Sequence, residues 1–266
     1  MAPQGRWRGV EALLFDYGLT LVTFTRPAAA LLRAHMEVAA RLEAAGLGPV
    51  PSGEILLREV HDRGEQAAAA HEAAGHLWEI DLAAEERRAY AALGIQLPAP
   101  LHHEITGVIQ RAWWEGVAVA PATVETLTAL RRHGLRLGLC SNAPYRSLSL
   151  RDQLAHLGLD RLFDSVTFSS EVGWRKPAPQ IFDAALRGLG AEASRTAMVG
   201  DRRREDVAGA RAVGMATIRV REHLDDPGPD DADAVIDRLS DLVELLFLPQ
   251  EGRKRGSVVG DDDTSS

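Results

Sequence analysis

The sequence predicts an α/β fold: a doubly wound parallel sheet, with a block of helices inserted soon after its first strand. Three observations carry this expectation. Past Pro121, short apolar runs alternate with helical periodicities, the pattern of strand–helix–strand units in a parallel sheet. Between residues 28 and 116 only helical spacing is present. Ahead of that block stands one apolar run, Val10 to Phe15, which delivers Asp16 to a loop. In open α/β sheets the C-terminal edge of the strands is where ligands bind.

The elements follow in order. Val10 to Phe15 reads as the first strand. Residues 28–46 have helical spacing and stop at Gly46, and residues 54–75 are helical after a Pro/Gly/Ser break. Residues 81–94 form a further helix closed by Gly94, and 101–115 another that ends in Trp113-Trp114. Then come a helix over 122–133, a strand over 135–140, a helix over 146–157, a strand over 165–168 and a helix over 178–189. A strand over 196–199, a helix over 204–213, strands over 215–220 and 234–236, and a helix to about residue 247 complete the series. The expected domains are a core of residues 1–21 and 120–247, a helical block of 22–119 and a disordered polar tail of 248–266.

Composition narrows the function. The 266 residues carry a net charge of −8, which argues against a nucleic-acid or membrane-surface partner, whose binding faces are basic. There is one cysteine, Cys140, so no internal disulfide is possible, which fits a reducing, cytoplasmic location. The N-terminal stretch lacks a long apolar run, so no signal peptide is expected, and no apolar stretch is long enough to span a membrane. Lysine occurs only at Lys176 and Lys254, while arginine is used elsewhere. A lysine inside the globular part is therefore informative, as a compact ammonium point charge.

Four segments carry chemistry. They are Asp16 with Thr20; the strand end at Ser141-Asn142; Lys176 before a proline and a helix; and Asp201 with Asp206. In a parallel sheet all four lie along one edge. A nucleophile, hydroxyl and amide donors, an ammonium and further carboxylates would converge there. Phosphoryl transfer needs such groups, because its transition state is spread negative charge. Paired carboxylates hold Mg²⁺, which prefers oxygen ligands.

In this order and spacing the segments resemble the haloacid dehalogenase superfamily of aspartate-nucleophile hydrolases, most of which are phosphatases. The likeness covers residues 10–21 and 120–225, and EVGWRKPAPQIF and the Gly200-Asp201…Asp206 pattern are its most specific parts. It implies a helical cap over residues 22–119 and a small phosphorylated metabolite as substrate. Asp16 would attack phosphorus, Ser141, Asn142 and Lys176 would hold the phosphoryl group, and Thr20 would support the loop. Asp16, Asp201, Asp206 and the Gly18 carbonyl would hold Mg²⁺.

The sequence departs from the family at Gly18, where the phosphatases carry a second Asp that protonates the leaving group and activates water. Such help is worth roughly 10²–10⁴-fold. Two alternatives follow: a catalytically weak protein that binds a phosphorylated ligand, and a 2-haloacid dehalogenase in which Asp16 attacks carbon. Phosphonate cleavage through a cap lysine is excluded, because residues 22–119 contain no lysine. Cys140 reads as a buried structural thiol, His61, His71 and His76 as surface or packing, His102 and His103 as packing or hinge positions, and Arg202-Arg203-Arg204 as a solvated turn; a histidine or acid of the helical block could replace the acid/base missing at Gly18.

Overall fold

The computed structural model describes residues 4–224, 226–229 and 231–248. The expected disordered tail falls, beyond Leu248, outside the described residues. In chain order the sheet-and-helix elements are β1 (Ala12–Phe15), β2 (Val22–Phe24), α1 (Ala28–Ala44), α2 (Gly53–Leu56), α3 (Arg63–Ala73), α4 (Leu82–Ala92) and α5 (Ala99–Ala112). They continue with β3 (Val117–Val119), α6 (Thr123–Arg132), β4 (Arg136–Ser141), α7 (Ser147–His156), β5 (Ser165–Phe168) and α8 (Ser169–Val172). Last come α9 (Pro179–Leu189), β6 (Thr196–Gly200), α10 (Gly209–Ala212), β7 (Ala216–Val220), β8 (Ala234–Ile236) and α11 (Asp241–Phe247).

The strands pair in the order β5-β4-β1-β6-β7-β8, and every pairing is parallel. β1 sits between β4 and β6, with Phe15 level with Leu139 on one side and Val199 on the other. The chain leaves β1 for one half of the sheet and later returns to build the other. The C-terminal end of β1 is thus the point where strand order reverses, and a crevice opens there.

Both faces of the sheet are covered, which is why its strands read as continuous apolar runs. Alternate residues go to opposite sides. Leu13, Phe15, Leu137, Leu139 and Val199 join one core with Leu127, Leu154 and Leu246 from α6, α7 and α11. Leu14, Cys140 and Met198 join the other, with Ile181, Phe182 and Ala210 from α9 and α10. Burial pushes the Cys140 thiol up to about 12, so it stays an unreactive core group.

Helices α1 to α5 have a core of their own, built on Leu31, Val38, Leu42, Leu56, Tyr90, Ile105 and Ile109. Local signals set their ends. Asp81 accepts a hydrogen bond from Ala84 N at 2.9 Å and caps α4, while Gly46 and Gly94 stand at positive φ just past α1 and α4. Two features differ from the sequence expectation. Residues 22–24 and 117–119 are not helical; they pair as an antiparallel ribbon, β2 with β3, where the chain enters and leaves the helical half. The helix expected over 54–75 is interrupted by a π-helical turn, Leu57–Asp62, and another, Arg203–Ala208, replaces the start of the helix expected over 204–213.

Candidate active site

Asp16 follows β1 directly and is buried. The loop after it is tightly turned. Leu19 adopts φ 60°, a left-handed conformation that costs a non-glycine residue about 1 kcal/mol, and its N–H donates to Val22 O at 2.7 Å. Thr20, fully buried, donates from Oγ1 to Asp201 Oδ1 at 3.2 Å and so ties the β1 loop to the end of β6. Gly200 has a steric reason to be glycine: a Cβ there would lie 2.3 Å from Asp206 Cγ. Its absence lets the Asp206 carboxyl lie against the end of β6.

Lys176 stands at the centre. Its Nζ donates to Asp16 Oδ1 and to Asp206 Oδ1, each at 2.6 Å. Burial alone would lower its pKa, but the charges of Asp16 and Asp206 outweigh that and hold the ammonium charged well above the usual range. Asn142 fixes the backbone that presents it. Asn142 Oδ1 accepts from Lys176 N at 2.7 Å, and Nδ2 donates to Lys176 O at 3.1 Å. Asn142, expected to touch substrate, thus has its amide engaged in positioning Lys176. Ser141 lies at the end of β4, nearly buried.

Three carboxylates, Asp16, Asp201 and Asp206, bring one oxygen each within 4.8 Å of one another. One ammonium faces them. Burial, then the neighbouring carboxylates, push Asp201 above the usual carboxylate range; burial does the same for Asp206, with Lys176 pulling it back. Asp206 Oδ2 accepts from Arg202 N at 3.0 Å, whereas the buried Asp201 Oδ2 has no hydrogen-bond partner among the described residues. A buried carboxylate oxygen left without a donor, in a cluster with excess negative charge, fits a hard divalent cation such as Mg²⁺.

Asp16, Gly18, Ser141, Asn142 and Lys176 line one cavity of about 190 Å³, joined by Glu72 from α3 and by Arg202. A second cavity of about 330 Å³ adjoins it and shares Gly18, Phe24, Ser141 and Asn142. Phe24 takes the room beside Gly18: a Cβ on Gly18 would lie 2.9 Å from Phe24 Cε2.

Several contributors were not legible in the sequence. Arg175, beside Lys176, is buried and donates to Glu79 at 2.9 Å and to Glu72 at 2.8 Å. Backbone bonds run alongside, Glu79 N to Gly173 O at 2.9 Å and Arg175 N to Leu77 O at 2.8 Å. Arg202-Arg203-Arg204 is partly solvated, as expected, with the Arg202 and Arg204 side chains 44% and 52% exposed, but each arginine also bonds another segment. Arg202 donates to Glu72 at 2.7 Å, Arg203 N to Asp226 at 2.8 Å, and Arg204 to Gly75 O at 3.1 Å. Such partners are far apart in sequence and leave no local pattern.

Comparison with known proteins places the chain. The profile of haloacid dehalogenase-like hydrolases matches residues 10–214, and the chain belongs to that family. It is 39% identical over 134 residues to a glyceraldehyde 3-phosphate phosphatase of Methanothermobacter thermautotrophicus, over 47% of this chain and 58% of that protein. The chain thus spans a little over half the length of such relatives. It is 34% identical to the human haloacid dehalogenase-like hydrolase domain-containing protein 3, over 69% of this chain and 82% of that one. The structure of a 2-haloacid dehalogenase from Pseudomonas syringae superposes with a TM-score of 0.62 at 25% identity, covering 89% of this chain and 97% of the other.

Proposed function

We propose that the chain is a Mg²⁺-dependent phosphatase of a small phosphorylated metabolite. The observation that carries this reading is Lys176 Nζ, 2.6 Å from both Asp16 and Asp206, beside an Asp201 oxygen with no donor. Relatives named as phosphatases support it. Asp16 is the nucleophile and forms an aspartyl-phosphate. Lys176 offsets the charge of Asp16 and of the phosphoryl oxygens, and Ser141 donates its hydroxyl to one of those oxygens. Thr20 and Asn142 hold the loops in register. Asp16, Asp201, Asp206 and the Gly18 carbonyl are the groups that would hold Mg²⁺. Bound there, the metal supplies charge neutralisation for the transferring phosphoryl group.

Helices α1 to α5 act in this reading as a cap over the sheet edge, entered and left through the β2–β3 ribbon and clamped by Arg175 to Glu72 and Glu79. Closure excludes water while Asp16 attacks. Among the described residues no helix is long and apolar enough to cross a membrane, and Cys140 is a free, buried thiol. Both accord with a cytoplasmic location.

The test is phosphate release from small phosphate esters with Mg²⁺ and with EDTA, beside Asp16→Asn. Metal-dependent release that disappears in the variant is expected; equal release by the two proteins would sink the reading. Gly18 supports the weaker alternative of slow turnover, since it offers no proton to the leaving group. The likeness to a 2-haloacid dehalogenase supports the other, which halide release from a 2-haloacid would reveal.

A further inference from the structure

The apolar cavity beside the nucleophile has no role in phosphoryl transfer itself. Tyr17, Phe24, Trp113, Val117, Tyr145 and Leu150 supply much of its wall. It meets the charged cavity along Gly18, Phe24, Ser141 and Asn142. A phosphoryl group in the charged cavity, against Asp16 and Lys176, therefore has an apolar chamber next to it. Its volume of about 330 Å³ is roughly twice that of an engineered apolar cavity that admits benzene.

The aromatic wall is held in place. Tyr17 donates its hydroxyl to Gln153 Oε1 at 2.9 Å, and Tyr145 to Glu65 Oε2 at 2.9 Å. Both hydroxyls are thus engaged, and burial raises both pKa values, so the rings stay neutral. Tyr17 and Phe24 meet edge to face with ring centres 6.1 Å apart. Such a chamber suits a flat apolar body and gives a chain of hydroxyls few partners.

We propose that this cavity is the leaving-group pocket, and that it selects phosphate esters whose alcohol carries an aromatic ring. The inference rests on the phosphatase reading and deepens it. The missing carboxylate at Gly18 belongs to the same arrangement. Position 18 lies on the wall shared by the two cavities, and a glycine there, with Phe24 beside it, keeps that wall apolar.

The test pairs two esters whose leaving groups are both primary alcohols of similar basicity, so that intrinsic reactivity does not decide the result. These are benzyl phosphate and glycerol 3-phosphate, assayed with Mg²⁺. Binding is measured separately by calorimetry, with benzylphosphonate and methylphosphonate, which cannot turn over as esters. Burying one ring is worth about tenfold or more. The wild type is therefore expected to prefer the benzyl compound at least about tenfold in kcat/KM and in Kd. Leu150→Trp, which fills the chamber from α7, and Trp113→Ala, which removes wall from the other side, should each reduce the binding ratio below about threefold. Thermal unfolding reports whether each variant is folded, and the wild-type ratio stands without them. Equal binding of the two phosphonates overturns the proposal, even if Mg²⁺-dependent turnover is present. Preferential binding of benzylphosphonate without turnover of either ester supports the pocket and removes the phosphatase reading.

Discussion

The sheet edge and the core of the helical half treat ionisable groups in opposite ways. At the sheet edge, Asp16, Lys176, Asp201 and Asp206 are all nearly out of contact with solvent, and they lie against one another. In the helical half, the arginine–glutamate pairs sit on the surface, as with Arg33 and Glu115, whose side chains are 61% and 62% exposed. Its own core holds a pair of buried histidines. His35 and His61 lie with ring centres 5.4 Å apart and planes tilted by 60°, and burial lowers the pKa of both, so each stays neutral. Burying charge costs several kcal/mol per ion unless the pairing is very good. The sheet edge carries that cost at its centre, whereas the helical half carries it where Glu79 meets Arg175 and keeps its core histidines neutral.

Breaking the pairing at the sheet edge should have the largest effect. Lys176→Met leaves Asp16 and Asp206 buried without their cation, and a loss of about 3–5 kcal/mol in urea unfolding is expected. Millimolar Mg²⁺ should recover part of it. A loss below about 1 kcal/mol would mean that the cluster is not charged as described.

The next effect is in the helical half and depends on pH. His61 is lowered from 6.5 to about 4 by burial first, with the neighbouring His35 adding to it. Asp62 pulls in the other direction and Arg26 adds a small lowering. Unfolded, the ring takes up a proton near 6.5; folded, it does so only near 4. The stability contribution is therefore complete above about 6.5 and is lost as pH falls toward 4. At 1.4 kcal/mol per unit this amounts to at most about 3.5 kcal/mol. Urea midpoints of wild type and His61→Phe, compared from neutral pH down to about 4.5, should show the wild type losing stability relative to the variant as pH falls. Parallel curves would contradict a neutral buried His61.

The smallest effect belongs to the surface. Glu115→Gln breaks an exposed pair with Arg33 and should change stability by less than about 0.5 kcal/mol. A change of several kcal/mol there would erase the contrast between the halves.

What could be read in the sequence follows the same division. The central strands β1, β4 and β6 were legible because each is a short, mostly apolar run that is almost wholly buried, and Asp16, Ser141 and Asp201 were legible because each stands at or just past the end of one. Lys176 stood out as a rare residue type. The helical half was legible as helices but not in its boundaries: β2 and β3 are three residues each, too short to show a period. The clamp of Arg175 on Glu72 and Glu79 links residues 103 and 96 positions apart, and nothing local announces it. The apolar chamber was equally hidden, because Tyr17, Trp113 and Tyr145 come from three separate segments and only the fold brings them together.

Gly18 and Phe24 also constrain how such a chain can change by single steps. An aspartate at position 18 would meet the ring of Phe24, whose exposed edge leaves it room to swing aside. Once displaced, the ring no longer lines the boundary between the two cavities, so the carboxylate arrives only as the shape of the chamber is lost. Changing Phe24 first reverses the order without avoiding the exchange. The two positions are therefore epistatic. A lineage crossing between the two forms would trade ligand shape for acid–base chemistry in one step, with no intermediate that keeps both.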